Sequence, residues 1–245
     1  MNLILGDCLE KMRELSNNSI DCCLTDPPYG TTACKWDNII PFKPMWDELD
    51  RIVKKNGAIC LFGMEPFSSH LRISNLKMFK YDWIWRKNTA SGFAIVRYQP
   101  MKSHEFIHVF SKERTNYYPQ KVKSCVEGRK FNRPNGIRKQ TSSVHHANLK
   151  VRGENILKEF VNPRTVLEFK TVGNQNGKRF HPTQKPVDLL EYLIKTYTLE
   201  NQTILDFTMG SGSTGVACKN LNRNFIGIEN DEEIFNVAQE RLKTK

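Results

Sequence analysis

The sequence has few of the features that mark membrane, secreted or metal-binding proteins. No apolar run approaches the roughly 20 residues that a membrane-spanning helix needs. The first ten residues, "MNLILGDCLE", have neither the basic start nor the long apolar run of a signal peptide. The seven cysteines are odd in number and scattered, and no C-x-x-C pair occurs among them. We therefore expect a cytoplasmic protein with no disulfide framework, no bound metal and no contact with a membrane.

Excess positive charge is absent from most of the chain. The net charge is +11, but residues 112–179 hold 16 basic and five acidic residues, and the 21 basic and 21 acidic residues elsewhere cancel. A neutral scaffold with one basic segment predicts a polyanionic partner, and nucleic acid is the commonest such partner. A merely solubilising basic surface is the alternative.

What is present is an alternation of strand-like and helix-like segments in a chain of ordinary globular composition. Residues 1–111 contain strand candidates at 2–5, 20–25, 58–63, 81–87 and 106–112. A helix candidate covers 44–57, and Gly57 is its expected C-terminal stop. This alternation predicts a parallel α/β sheet. The last two strand candidates have no good helix between them and predict an antiparallel hairpin at the edge of the sheet.

Periodicity fades over residues 112–180, where turn-forming residues multiply, and returns over 181–245. The returning pattern predicts a helix that begins near Pro186, a strand, a glycine turn with a short helix, another strand and a final helix. We therefore expect one α/β domain formed by residues 1–111 and 181–245, with a loop-rich basic insert at 112–180.

The glycine turn has the sequence "ILDFTMGSGSTG" (204–215), with a G-x-G-x-x-G array between a predicted strand and a predicted helix. Glycines there let the backbone approach a ligand closely, so the turn is a candidate site for a nucleotide cofactor. Asp206 precedes the glycines, and Glu229 ends the next strand, where a carboxylate can accept hydrogen bonds from both ribose hydroxyls.

A nicotinamide enzyme would use a similar turn, but the order of the elements argues against it. After Glu229 only one predicted helix remains, so residues downstream cannot complete this sheet. If the N-terminal strand completes it, the two ends of the chain lie side by side in a circularly permuted sheet. Asp7, which follows that strand, then reaches the carboxyl edge where ligands of α/β sheets bind.

A second unusual turn, "DPPY" (26–29), ends the apolar strand candidate at 20–25. Two prolines fix φ and remove two backbone donors, which leaves their carbonyl groups free to accept hydrogen bonds. Asp26 adds an acceptor, and Tyr29 offers a stacking face. This combination suits a flat molecule that carries an amino group, although a simple strand-ending turn is the alternative.

In this order "DPPY", "HPTQKP" (181–186) and "LDFTMGSGSTG" (205–215) resemble the motifs of the beta class of DNA amino-methyltransferases. The resemblance covers nearly all of the chain outside the basic insert. It implies a Rossmann-like class I methyltransferase fold, with a circularly permuted mixed sheet, in which 1–111 is the catalytic half, 112–180 the target-recognition insert and 181–245 the cofactor half. The implied cofactor is S-adenosylmethionine and the implied partner is double-stranded DNA.

The resemblance also assigns roles by position. It implies that Asp26, Pro27 and Tyr29 form the catalytic turn, with Pro28 as spacer. The implied cofactor-binding residues are Asp7, His181, Thr183, Lys185, Asp206, Phe207, Thr208, Gly210, Gly212, Ser213 and Glu229. The chain departs from the family pattern at Thr208, where phenylalanine is usual, and Phe207 stands one place early.

The implied reaction is site-specific transfer of a methyl group to the 6-amino group of adenine in a flipped-out nucleotide. The alternatives are transfer to the 4-amino group of cytosine, methylation of RNA, and a non-catalytic DNA-binding relic of the fold. Members of the family are often dimers and work beside a restriction endonuclease, so both partners are expectations from the family alone. The candidate DNA contacts in the insert are Arg129, Lys130, Arg133, Arg138 and Lys139.

Overall fold

The computed structural model describes residues 1–32, 37–123, 160–173 and 184–243. The chain divides into two compact units, the first formed by Met1–Tyr118 with Arg164–Lys245 and the second by Pro119–Pro163. In the second unit, the short strands Val122–Lys123 and Phe160–Val161 pair antiparallel. All further elements belong to the first unit. The segment from Arg164, which we expected within the basic insert, is therefore part of the α/β unit.

The first unit alternates strands and helices along the chain. The two short strands of the second unit are β6 and β7 in chain order. The strands of the first unit are β1 Asn2–Leu5, β2 Ile20–Thr25, β3 Val53–Gly63, β4 Phe79–Ser91, β5 Lys102–Phe110, β8 Val166–Glu168, β9 Thr203–Asp206 and β10 Asn224–Glu229. Its helices are α1 Cys8–Arg13, α2 Phe42–Ile52, α3 Phe67–Ser74, α4 Val187–Tyr197, α5 Ser213–Asn220 and α6 Glu232–Lys243. None of the helices in the described ranges combines the length and apolar character that a bilayer-spanning segment requires.

The strands form a single mixed sheet in the order β1-β10-β9-β2-β3-β5-β4-β8. Neighbours from β1 to β3 are parallel, whereas β5 pairs antiparallel with both β3 and β4. The N-terminal strand β1 pairs with β10 along its whole length, from Asn2 with Ile226 to Leu5 with Glu229. The permuted closure of the sheet is thus confirmed. The hairpin of β4 and β5 is also confirmed, but β8 pairs parallel with β4 and extends the sheet by one strand.

Helix α2 differs from the helix expected at 44–57, because it ends at Ile52 and Gly57 lies inside β3. Val53 turns to extended backbone (φ −80°, ψ 135°) and pairs with Ile20 of β2. Strand pairing in the buried sheet therefore outweighs the helical pattern of the following residues. A Cβ at Gly57 would lie 2.9 Å from the carbonyl oxygen of Asp21, so glycine permits the close approach of β2 and β3.

The sheet has an apolar layer on each face. Cys22 belongs to the cluster that α4, α5 and α6 cover, and Cys23 belongs to the cluster beneath α1, α2 and α3. Every residue of β2 from Ile20 to Thr25 is buried, as expected for a central strand of a parallel sheet with helices on both sides. This burial places the end of β2 in the middle of the first unit, and Asp26, which follows the strand, is partly exposed there, with 24% of its side chain accessible.

Candidate active site

The carboxyl ends of the central strands open into a cavity of about 770 Å³. Both turns singled out in the sequence line it, because β2 and β9 are neighbours in the sheet. The described candidate residues that line this cavity are Asp7, Asp26, Pro27, Pro28, Tyr29, Lys185, Asp206, Phe207, Thr208, Gly210, Ser213 and Glu229. The fold therefore brings together residues from both ends of the chain.

Both oxygens of the Asp26 carboxylate are held by side chains. The phenol of Tyr29 donates a hydrogen bond of 2.5 Å to Oδ1, and the ammonium of Lys185 donates to Oδ2. Burial raises the pKa of Asp26 and the charge of Glu105 adds to the rise, while Lys185 opposes it. The ring of Tyr29 stacks on Phe67 with a centroid distance of 5.1 Å, and Tyr29 also lines the cavity. The carboxylate is thus fixed in direction.

Asp37 anchors the loop that follows the DPPY turn, a role that the sequence did not reveal. Its Oδ1 accepts hydrogen bonds of 2.8 Å from the backbone N–H groups of Tyr29 and Gly30. Its Oδ2 accepts from the N–H of Thr31 at 2.8 Å and from the N–H and hydroxyl of Thr32 at 2.7 and 2.8 Å. Burial opposes ionisation of Asp37, but these hydrogen bonds outweigh it and lower its pKa. One carboxylate therefore shapes the turn that carries Tyr29.

Hydrogen bonds join the two turns directly. The hydroxyl of Thr208 donates to the carbonyl oxygen of Asp26 at 3.0 Å. The hydroxyl of Thr25 donates to Asp206 at 3.0 Å and accepts from the N–H of Phe207 at 3.1 Å. The residue that departs from the family pattern, Thr208, thus links the glycine turn to the DPPY turn. The ring of Phe207 is buried in the core.

The glycine turn depends on two residues with left-handed backbone. Gly210 has φ +52° and Gly212 has φ +78°, and Gly212 is the N-cap of α5. Residues with a Cβ rarely adopt such angles, so glycine is favoured at both places. Arg241 of α6 donates hydrogen bonds of 3.0 Å to the carbonyl oxygen of Ser211 and to the hydroxyl of Ser213. The guanidinium of Arg241 therefore braces this turn.

Two acids at the cavity wall are oriented by backbone N–H groups. Glu229 accepts from Gly210 through Oε2 at 2.9 Å and from Asn230 and Asp231 through Oε1 at 2.9 and 3.0 Å. Asp7 is the N-cap of α1 and accepts from the N–H groups of residues 9 and 10 through Oδ1. Because an ionised carboxylate can accept about four hydrogen bonds, both acids keep capacity for ligand hydroxyl or amino groups.

Asp206 is buried beneath the glycine turn. Its carboxylate accepts hydrogen bonds from the hydroxyls of Thr25 and Thr214, at 3.0 and 2.6 Å, and from the N–H of Thr208 at 3.3 Å. Burial nevertheless raises the pKa of Asp206 to about 7, because the three hydrogen bonds only partly offset the loss of water. Asp206 therefore organises the turn from below.

Lys185 lies between two carboxylates. Besides Asp26, it faces Glu105 of β5, whose Oε2 is 3.4 Å from its Nζ, and Glu105 in turn pairs with Lys87 of β4. Glu105 was not identified from the sequence, because its partner Lys185 is distant along the chain. Lys185 lines the cavity, but its ammonium donates to Asp26. Its expected contact with the cofactor stays a prediction.

Several candidates lie outside the described residues. They are His181, Thr183, Arg129, Lys130, Arg133, Arg138 and Lys139. Their expected roles stay predictions. Within the described ranges, no group of three or more His, Cys, Asp or Glu side chains is arranged to hold a metal ion.

Comparison with known proteins identifies the family. The model of a DNA methylase family, the N6/N4 type, matches residues 20–240. The type II methyltransferase M.HpaI of Haemophilus parainfluenzae is 32% identical over 99% of this chain and 74% of its own length. M.HinfI of Haemophilus influenzae is 30% identical over 99% of this chain and 68% of its own length.

The chain is also similar, in sequence and in fold, to a solved structure. The crystal structure of the M1.HpyAVI–SAM complex is 27% identical and superposes with a TM-score of 0.63, covering 98% of this chain and 99% of that one. The matches extend across the cavity, the DPPY turn and the glycine turn. The chain therefore belongs to the N6/N4 family of DNA methylases.

Proposed function

We propose that this protein transfers a methyl group from S-adenosylmethionine to the 6-amino group of adenine at a specific site in double-stranded DNA. The observation that carries the proposal is the joining of two turns in one cavity. Asp26, the amino-group acceptor, is tied through its carbonyl oxygen to Thr208 of the glycine turn at 3.0 Å. A donor held by that turn and an amino group held by Asp26 would lie side by side, which is the arrangement that a direct transfer needs.

The residues of the cavity fit S-adenosylmethionine. The glycine turn offers backbone without a side chain at Gly210, which lines the cavity, whereas Gly212 packs toward Ala238 of α6 and shapes the turn. The carboxylates of Glu229 and Asp7 have acceptor capacity for hydroxyl and amino groups. We infer that Glu229 holds the ribose hydroxyls and that Asp7 lies near the adenine of the cofactor. When bound, S-adenosylmethionine supplies an electrophilic methyl group on sulfonium. The expected contacts of Phe207, Ser213 and Lys185 belong to the same proposal.

The DPPY turn supplies acceptors for the target amino group. The lone pair of an exocyclic amino group is delocalised into the base, so the nitrogen is a poor nucleophile. If the Asp26 carboxylate and the Pro27 carbonyl each accept one N–H, the nitrogen becomes more pyramidal and its lone pair turns out of the ring plane. We propose that Tyr29, which stacks on Phe67 and lines the cavity, contacts the ring of the base. Catalysis then rests on orientation and electrostatics.

The target base must leave the duplex to reach this cavity, at a cost of a few kcal/mol. We propose that stacking on Tyr29 and phosphate contacts by the basic segment at 112–180 offset that cost. The homodimer and the restriction endonuclease partner remain predictions from the family resemblance.

The test is methyl transfer from tritiated S-adenosylmethionine to duplex DNA, followed by digestion and identification of the labelled nucleoside. We expect labelled N6-methyl-2′-deoxyadenosine from DNA. Labelled N4-methyl-2′-deoxycytidine would assign the alternative base, and labelling of RNA in preference to DNA would assign the other substrate. A wild-type protein that transfers nothing while binding DNA would support the non-catalytic relic.

Substitution of Asp26 tests its role. Asp26→Asn should lower kcat by about 10²-fold or more, because the acceptor loses its charge where the amino nitrogen gains positive charge. Binding of S-adenosylmethionine and of DNA should stay within a few-fold of wild type. Asp47→Asn, at an exposed ion pair of α2, is the matched control. Equal loss of binding and turnover in Asp26→Asn would mean that the acid is structural.

A further inference from the structure

Four side chains of alternating charge form a chain along the cavity. Lys87 of β4 pairs with Oε1 of Glu105 on β5, Oε2 of Glu105 faces Lys185 at 3.4 Å, and Lys185 pairs with Oδ2 of Asp26. The Oε2 atom of Glu105 is buried and has no hydrogen-bond partner among the described residues. Charge attraction therefore joins Glu105 to Lys185, and the net charge of the four groups is zero.

Three of these four side chains are largely buried, whereas that of Asp26 is 24% exposed. The side chains of Lys185, Glu105 and Lys87 are only 10%, 7% and 16% exposed. Each ammonium lies over an aromatic ring, with Lys185 Nζ 5.1 Å from the ring centre of Phe62 and Lys87 Nζ 5.1 Å from that of Trp85. Buried charges are tolerated when each has an opposite partner, and removal of one leaves its neighbour exposed to the full desolvation penalty. The four groups therefore act as a unit.

The unit ends on the acceptor of the proposed reaction. Lys185 donates to one oxygen of Asp26 and Tyr29 donates to the other. Glu105 is the second carboxylate beside the Lys185 ammonium, at 3.4 Å. We propose that Glu105 is a positioning residue, which holds Lys185 against Asp26 and thereby fixes the direction of the carboxylate that receives the target amino group. This inference rests on the proposed function and adds a residue pair to it.

The charged and titratable groups that face Asp26 come from four elements. They are Tyr29 of its own turn, Lys185 before α4, Glu105 of β5 and Asp206 of β9. The negative charge of Glu105 raises the pKa of Asp26, whereas the positive charge of Lys185 lowers it. Both carboxylates outweigh the effect of burial on Lys185 and raise its pKa, so the ammonium stays charged through neutral pH.

Two substitutions therefore shift Asp26 in opposite directions. In Glu105→Gln the carboxylate of Asp26 loses a like charge, so the acidic limb of the kcat/KM profile should move to lower pH. In Lys185→Met it loses its counter-ion, so the limb should move to higher pH by about 1 pH unit, as expected for a neighbouring opposite charge. A residue with only a structural role would lower activity without these opposed displacements.

The experiment measures methyl transfer against pH for the wild type and both variants, with thermal unfolding as the check on folding. We expect Glu105→Gln to lower kcat at least about tenfold, with the affinity for S-adenosylmethionine within a few-fold of wild type. Lys185→Arg, which keeps the cation, should recover the wild-type position of the limb. Glu168→Gln is the matched control. This exposed glutamate of β8 pairs with exposed Arg86 and is not among the charged groups that shift the pKa of Asp26.

A second measurement does not depend on activity. Carboxyl carbon NMR of aspartate-labelled protein, with the Asp26 signal assigned through Asp26→Asn, reports the titration of Asp26 itself. Its midpoint should fall in Glu105→Gln and stay unchanged in Glu168→Gln. An unmoved midpoint, or one that rises, would mean that Glu105 does not lie close to Asp26 as this arrangement requires, and it overturns the proposal whether or not the protein transfers methyl groups. Wild-type inactivity with the expected NMR shift would instead refute the proposed function alone.

Discussion

The buried acid beneath the glycine turn should make stability fall as pH rises. Asp206 has a pKa of about 7 in the folded protein and an ordinary value of 3.8. Between these values the folded state keeps a proton that the unfolded state has released. Unfolding therefore releases a proton in this window, and the free energy of unfolding decreases as pH increases.

The magnitude follows from the size of the shift. A difference of about 3 pKa units corresponds to about 4 kcal/mol between fully protonated and fully ionised Asp206. The range from pH 5 to pH 7 covers about two pH units of this window, so the free energy of unfolding should fall by about 3 kcal/mol across it. Asp206→Asn removes this dependence and keeps the packing, because Thr214 has a hydroxyl that can accept from an amide as readily as it donates to a carboxylate.

The assay is urea unfolding of the wild type and Asp206→Asn at several pH values between 5 and 7. The free energy of unfolding of the variant, relative to wild type, should increase across this range by about 3 kcal/mol. Asp47→Asn, at an exposed position, should show no such trend. A constant difference between wild type and Asp206→Asn would refute the reasoning, since it would mean that the three hydrogen bonds fully replace the lost water.

Three further substitutions test the turns. Asp37→Ala removes the acceptor of five hydrogen bonds and should lower the free energy of unfolding by about 3 kcal/mol in urea titrations; no loss would mean that water replaces the carboxylate. Thr208→Val should lower kcat several-fold, and its free energy of unfolding should stay within about 1 kcal/mol of the wild-type value. Thr208→Ser keeps the hydroxyl that bonds to Asp26 and should therefore keep the wild-type kcat. Gly212→Ala forces a Cβ to φ +78° and to 3.2 Å from Ala238, so calorimetry should show weaker binding of S-adenosylmethionine and destabilisation of about 1–3 kcal/mol; wild-type affinity would contradict this.

The sequence predicted those parts of the fold and the site that depend on local order. Apolar runs marked the central strands. Because no strand was predicted after Glu229, we expected β1 to lie beside β10, and the pairing of β1 with β10 from Asn2 to Leu5 confirms this. The DPPY and glycine turns follow strands that are neighbours in the sheet, so their meeting in one cavity could also be expected.

Contacts between distant residues could not be predicted in this way. Lys185 is 159 positions from Asp26, and nothing in the local pattern of either residue indicates the other. The predicted end of α2 at Gly57 was wrong, because Val53 pairs with Ile20 of the neighbouring strand and this pairing ends the helix before its sequence pattern does. The outermost strand β8 is only three residues long and lies in a segment without periodicity, so no pattern marked it.

The pairing of β1 with β10 also sets the order in which a ribosome can complete the molecule. β1 precedes β10 in the chain and cannot pair with it until β10 has been synthesised, and β9 has to pair with β2 before β10 can connect β9 to β1. Such long-range pairing forms slowly, since a large loop must close first. A nascent chain therefore has no finished cavity until synthesis of β10, and early fragments expose the edge of β2 to chaperones or to other chains.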